Sequence, residues 1–556
     1  MKKAINVNGW TGVQRMVLFA LIGSIVLKAA SVSAATYYWD NNGTTAGFGT
    51  AGGIWAAPTV SLWSLSTDGT GIPEASITTA TTDLLNFGNG AIGLGTNTIT
   101  VSGTVASSNM TFASGSGVIT LSGGTITLAP TATITVNNSA DTIGSILGGA
   151  ATSLTKDGTG TLTLTGANTY SGTTTINAGT LQIGNNGTSG TLGSGSVLNN
   201  GRLCFHRTDT TTFNGTITGG GELIVARGGT LTLASGANVT QFQVYGGDGA
   251  AQNLGAGTFV VQSNASLTVS GWFLLGNQRN QSGTFNQSGG TVNLTSSTPV
   301  GNEKGEIRIG HWDSNSSYNL SGGTLSALNA DITLSWDGHG TLAVSGGTAN
   351  LRGVKFCTGN KSRTGTLNLS GTGILNIGAG GLYDGSTSAN PIAITFSGGT
   401  LGALANWTTS GNQMNNQTIT LSNTNTIDTT GGNITLTPAL TGAGGITKVG
   451  AGTLTFSGPN TYTGATTISN GTLKTTLSNI LPQGAPLSIE SGAFLELSTT
   501  TQTVARLTLS GTLYRRGVST WGAVGSGAQY ESNQIIGSGR LNVLGPARPG
   551  TFVSFF

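Results

Sequence analysis

Residues 154–181 read LTKDGTGTLTLTGANTYSGTTTINAGTL, and residues 446–473 read ITKVGAGTLTFSGPNTYTGATTISNGTL. The stretches align without a gap at a constant offset of 292, with 18 identities in 28 positions. Segments this alike in one chain are copies of one structural unit, and a repeated unit points to a stacked array before a single compact domain. Within the unit, apolar residues alternate with Thr, as in TLTLT at 161–165. Alternation of period two turns one side of a strand inward and the other outward. Gly supplies corners by accepting positive φ without a Cβ penalty, and Asn tolerates that conformation while bonding to turn backbone. Asn168 and Asn460, equivalent in the two copies, are expected at such corners. Lys156 and Lys448 are the only charge the copies share.

A looser unit fills the space between. It reads GTFNQSGGTVNLT (283–295), SYNLSGGTLSALN (317–329), GTLAVSGGTANLRG (340–353), GTLNLSGTGILNIG (365–378) and TFSGGTLGAL (395–404). Each is a short alternating strand, a Ser-Gly turn and a second strand. The turn serines are Ser288, Ser321, Ser345, Ser370 and Ser397, and after the first interval their spacing is nearly constant. Trp312-Asp313 and Trp336-Asp337 keep the same step as Ser321 and Ser345. Two features on one period predict a coil of about 24 residues. The longer first step is assigned to an inserted corner loop at 296–305, SSTPVGNEKG.

Short strands on such a period, separated by Gly, Asn and Ser turns, describe an all-β right-handed parallel β-helix, each strand pairing with its equivalent one coil away. Residues 35–140 are expected to hold an irregular N-terminal cap, YYWDNNGTTAGFGTAGGIW, and the first β-coils. The β-helix proper is placed at 141–545 and a tail at 546–556.

Composition agrees with an ordered β chain. Charged residues make up 7% of the chain, against about 25% in typical soluble domains, and Gly is 93 of 556. Disorder combines low hydrophobicity with high net charge, whereas here the net charge is +3 with 36% apolar residues. No block of like charge exists, which argues against nucleic acid as a partner. Lys2, Lys3 and Arg15 precede an apolar run at 16–27, and Val32-Ser33-Ala34 supplies the small residues of a cleavage site. A secretory signal peptide over 1–34 is expected, with no membrane span in the mature chain. Cys204 and Cys357 are expected as buried thiols, and a disulfide between them requires a proximity that sequence does not reveal.

Both strong copies resemble the autotransporter-associated β-strand repeat, T-K-x-G-x-G-T-L-x-x-x-G-x-N-T-Y-x-G-x-T-x-I-x-x-G-T-L, at 154–184 and 446–474. The resemblance implies an exported, β-helical, passenger-type protein, secreted or associated with the outer surface of a Gram-negative-type bacterium. It implies a role in passenger translocation and no reaction. An autotransporter closes with a β-barrel, whereas this sequence ends in β-helix coils, so a passenger lacking its barrel is a further reading.

For chemistry, the best candidates are Asp313 and Asp337, one coil apart, each beside a Trp and close to His311 and His339. Stacked carboxylates and tryptophans would suit a sugar, as in β-helical polysaccharide lyases and glycosidases. The structural alternative makes Trp-Asp a repeated turn, and it is preferred. Glu303, Lys304 and Glu306 read as a solvated cluster. No nucleophile, zinc or phosphate-loop pattern occurs, so no catalytic, cofactor or metal residues and no cofactors are assigned. The favoured reading is a non-enzymatic surface protein of structural or adhesive role, with surface glycans or other surface proteins as partners.

Overall fold

The structure is a computed structural model and describes residues 34–241, 243–246, 257–276, 282–295, 307–311, 313–356, 363–385, 391–411, 414–514 and 518–545. Residues 1–33 of the expected signal peptide, the insertion at 296–305, Glu306, Trp312, Cys357 and the tail at 546–556 lie outside these.

The described chain is β throughout, apart from one 3-10 turn at Met414–Asn416. Its strands stack in parallel as the alternation requires. Met110 lies over Leu85, Ile134 over Met110, Lys156 over Ile134 and Ile176 over Lys156. The same stacking continues coil upon coil to Leu509 over Ile489, making one parallel β-solenoid. Inward positions fill a narrow lumen. Leu162, Leu181, Leu203 and Leu223 succeed one another there, all fully buried. Each contributes about 1.5–3 kcal/mol relative to exposure. Where the lumen widens, Phe259, Phe285 and Tyr318 stack at 5.9 and 4.7 Å.

Coil length is not uniform. The expected step holds in the centre, where Thr324 lies under Thr348 of the adjacent coil. The two strong copies use a shorter one, with Leu154 paired to Thr174 and Ile446 to Thr466. The reason lies in the corners. The copies use mostly three- to five-residue strands, such as Ser153–Asp157, Thr161–Leu164 and Thr174–Ile176, although the first ends in the longer Thr180–Gly187. The central coils instead contain the long strands Asn315–Leu334, His339–Phe356 and Gly365–Asp384. The Ser-Gly positions expected as turns are register shifts inside these long strands, which bend the ribbon without ending it.

Both ends of the parallel stack meet antiparallel strands. Trp39 pairs with Trp63, and Trp39, Trp55 and Trp63 are completely buried. The Trp63 ring lies 4.9 Å from Trp39, 5.5 Å from Trp55 and 6.0 Å from Phe87, so these rings pack as one cluster. At the other end Arg506–Leu509 turns back on Thr512–Tyr514, and Ser519–Gly522 runs against Arg540–Val543. Such pairing occupies strand edges that would otherwise template further β-addition.

Candidate functional site

The shared lysines of the repeat are not surface charges. Lys156 and Lys448 have no exposed surface, because they share the inward parity of Leu154 and Ile446. Lys156 Nζ donates to the carbonyls of Asp157 (2.8 Å), Gly158 (2.8 Å) and Ala178 (3.1 Å). Lys448 repeats this with Val449 (3.0 Å), Gly450 (2.7 Å) and Asn470 (2.8 Å). Two bonds close the lysine's own corner and the third ties that corner to the next coil. Burial pushes both amines down to about 8, while three carbonyls match the three N–H groups that only the ammonium offers. The corner demands glycine: Gly179 has φ +64°, and a Cβ there would lie 2.4 Å from the Gly160 carbonyl. Buried Tyr170 and Tyr462 share hydrogen bonds with Thr174 and Thr466 at 2.9 and 2.6 Å. Asn168 and Asn460 lie between strands, without the positive φ expected at such corners, and accept from the Leu147 and Leu440 N–H groups of the preceding coil, both at 2.9 Å.

Asp313 and Asp337 stand at adjacent corners. Asp313 has φ +59°, a conformation Asp tolerates, and its N–H donates to the Asp337 carbonyl at 3.1 Å. Trp336 and Gly338 N–H groups both donate to the Gly310 carbonyl, at 2.9 and 3.1 Å. The Asp313 carboxylate accepts from Arg363 at 2.7 Å. His339 Nδ1 accepts from the Thr364 N–H at 3.1 Å. Buried His311 is pushed down to about 4 by desolvation and by the Arg308 charge, so it is neutral at ordinary pH. These residues are brought together through backbone bonds, the Asp313–Arg363 ion pair and the His311–Trp336 ring contact at 6.2 Å. Among the described residues no three His, Cys, Asp or Glu side chains converge in a way that could hold a metal ion.

Beside this corner runs a column that linear spacing does not reveal. Arg308, Thr333, Lys355 and Tyr383 occupy one outward register over successive coils. The Arg308 guanidinium lies between two indoles, 4.9 Å from Trp272 and 3.7 Å from Trp336, with Lys355 Nζ 5.9 Å from Trp336. Arg352 pairs with Asp331, which also accepts from the Tyr383 hydroxyl at 2.8 Å. Below Arg308 the same register passes Leu274 and Ile224 to Cys204, a small apolar cluster separate from the lumen. Cys204 is buried there, as expected. Arg308 and Lys355 are far apart in the chain, so only the coil register could have found them together.

The passenger-associated-transport-repeat model matches residues 154–183 and 446–474. The chain therefore carries two copies of this repeat. It is also 29% identical over 402 residues, 70% of its length, to the protein named Adhesin BmaC autotransporter of Brucella suis biovar 1 (strain 1330). The matched region is 11% of that relative's length. No solved structure matches the chain.

Proposed function

We propose that this chain is an exported, passenger-type surface or secreted protein whose solenoid serves a structural or adhesive role without catalysis. The observation that carries this reading is the state of the best catalytic candidates. Asp313 is held by Arg363 and by the turn backbone, and His311 is buried and neutral. A glycosidase or lyase needs carboxylates free to act on substrate from facing positions. The adhesin named among the relatives supports the adhesive side of the reading, with surface glycans or surface proteins as its targets. Among the described residues no helix is long and apolar enough to cross a membrane.

Beads coated with the full chain are expected to adhere to host cells or surface polysaccharide while releasing no reducing sugar. A polysaccharide-cleaving activity that disappears in Asp313→Asn or Asp337→Asn would overturn the non-catalytic reading. Export is tested by N-terminal sequencing of the protein from the producing bacterium, which is expected to begin at Ala35.

A further inference from the structure

One outer face has its own chemistry. Another outward register carries hydroxyls: Thr230, Thr258, Thr284, Ser317, Thr341 and Thr366 follow one another in a single column. The Arg308 register instead gathers indoles, a phenol and cations, with Trp272, Trp336, Lys355 and Tyr383 all half-buried. Trp, Tyr and Arg are the side chains that dominate binding surfaces, because they combine large rigid contact area with polar anchors.

We propose that this column is a docking strip for an acidic polysaccharide. Sugar rings present C–H faces that stack on indole and phenol rings. A chain lying along the rod would meet the half-exposed Trp336, Lys355 and Tyr383, while Arg308 and Thr333 are buried. The charge selects the sugar. Lys355 is the half-exposed cation of this register, while Arg308 is buried against the Trp336 ring. Of the carboxylates nearby, Asp331 is held by Arg352 and Asp313 by Arg363, while Asp337 stands at the corner beside Trp336. Arg308 is 2% exposed and acts as a positioning residue, fixing the Trp336 plane from beneath. Lys355 is the half-exposed cation that meets a uronate carboxylate.

The assignment rests on the adhesive reading and names its partner. The test uses the full chain with uronate oligosaccharides from alginate and neutral cello-oligosaccharides of equal length. Uronate binding that weakens with added salt is expected, with weaker or no binding of the neutral chain. Lys355→Gln and Trp336→Ala are each expected to weaken it roughly tenfold, as loss of an anchor does. Trp336→Phe, which keeps a ring, is the variant used if Trp336→Ala misfolds, and Thr341→Ala on the hydroxyl column is expected to bind as the parent does. Equal binding of the neutral chain, no uronate binding, or unchanged binding by Lys355→Gln overturns the proposal. Uronate binding without cell adhesion upholds the strip and counts against the adhesive reading; adhesion without uronate binding does the reverse.

Discussion

The two strong repeats and the central coils solve the same stacking problem by different means. A repeat coil closes on the shorter step with short strands, and its polar side chains turn inward to bond backbone carbonyls. A central coil takes the longer step, bends through register shifts in long strands, and sends its polar side chains outward into ladders. Asn319 donates to Asn286 at 2.9 Å and Asn376 to Asn350 at 2.8 Å, each across one coil. The first kind of coil is fixed by its own motif and leaves little to vary. The second holds its shape through stacking and leaves its outer surface free to carry a partner's recognition chemistry.

The largest effect expected separates the two repeats from each other. Beneath the second copy, Ile434 lies under Leu454 in the lumen. Beneath the first, the corresponding place under Leu162 holds Asp141, fully buried. One Asp141 oxygen accepts from the Ile119 N–H and Asn138, and the other has no partner. Neither Ile119–Ser122 nor Thr161–Leu164, the strands stacked on it, carries a charge. Burial therefore pushes its carboxyl up to about 7, despite these two bonds. The folded pKa lies above the unfolded one, so the folded state binds more protons between the two values. Stability in these coils should fall as pH rises from 4 through 7, by roughly 4 kcal/mol if the whole shift is expressed. Protection factors, which remove the intrinsic pH dependence of amide exchange, should fall around Ile119 and Leu162 over that range, while those around Ile434 and Leu454 should not. Asp141→Asn is expected to flatten the profile. A flat profile in the parent chain would show that Asp141 reaches water.

A second effect sets repeat against centre through their lysines. Lys156→Met or Lys448→Met removes a charged donor from three carbonyls and should cost about 2–4 kcal/mol, the range for disrupted charged hydrogen bonds in a buried site. Lys355→Met, on the outward column, should stay within about 0.5 kcal/mol. Proteolytic susceptibility and urea unfolding of the three variants measure this. Equal losses at Lys156 and Lys355 would break the distinction between inward staple and outward contact.

These lysines mark how far the sequence could be read. Strands and glycine corners were legible because each is local: alternation sets the face and Gly sets the turn. The neighbouring places of Asp313 and Asp337 were legible because the two residues stand one coil apart. The inward lysines left a signal too, in their shared parity with Leu154 and Ile446, but residue type alone argues for the surface. The Arg308 column left none. Successive coils differ in length, and a column becomes visible only once every register shift between its members is known. The Ser-Gly elements were misjudged for a related reason, since a bulge and a turn use the same residues and differ only in whether the ladder resumes.

The smallest effect lies inside the motif, at the asparagine both copies share. Asn168 accepts from Leu147 N–H and donates to the Thr191 carbonyl at 2.7 Å, and its own N–H reaches the Thr191 hydroxyl at 2.8 Å. It therefore joins the coil below to the coil above. Asn460 keeps the lower bond, yet its side-chain amide nitrogen is buried with no partner. At the offset of 292 that relates the copies, the place of Thr191 is taken by Gln483. Asn168→Ala strips two bonds and should cost about 2 kcal/mol, at roughly 1 kcal/mol each. Asn460→Ala strips one and also removes an unsatisfied buried donor, whose desolvation penalty offsets the loss, so it should cost about 1 kcal/mol or less. Thermal unfolding of the paired variants decides the matter. Equal costs would mean that the lower bond alone carries the asparagine's contribution, and that the upper bond in the first copy adds nothing beyond what water supplies in the second.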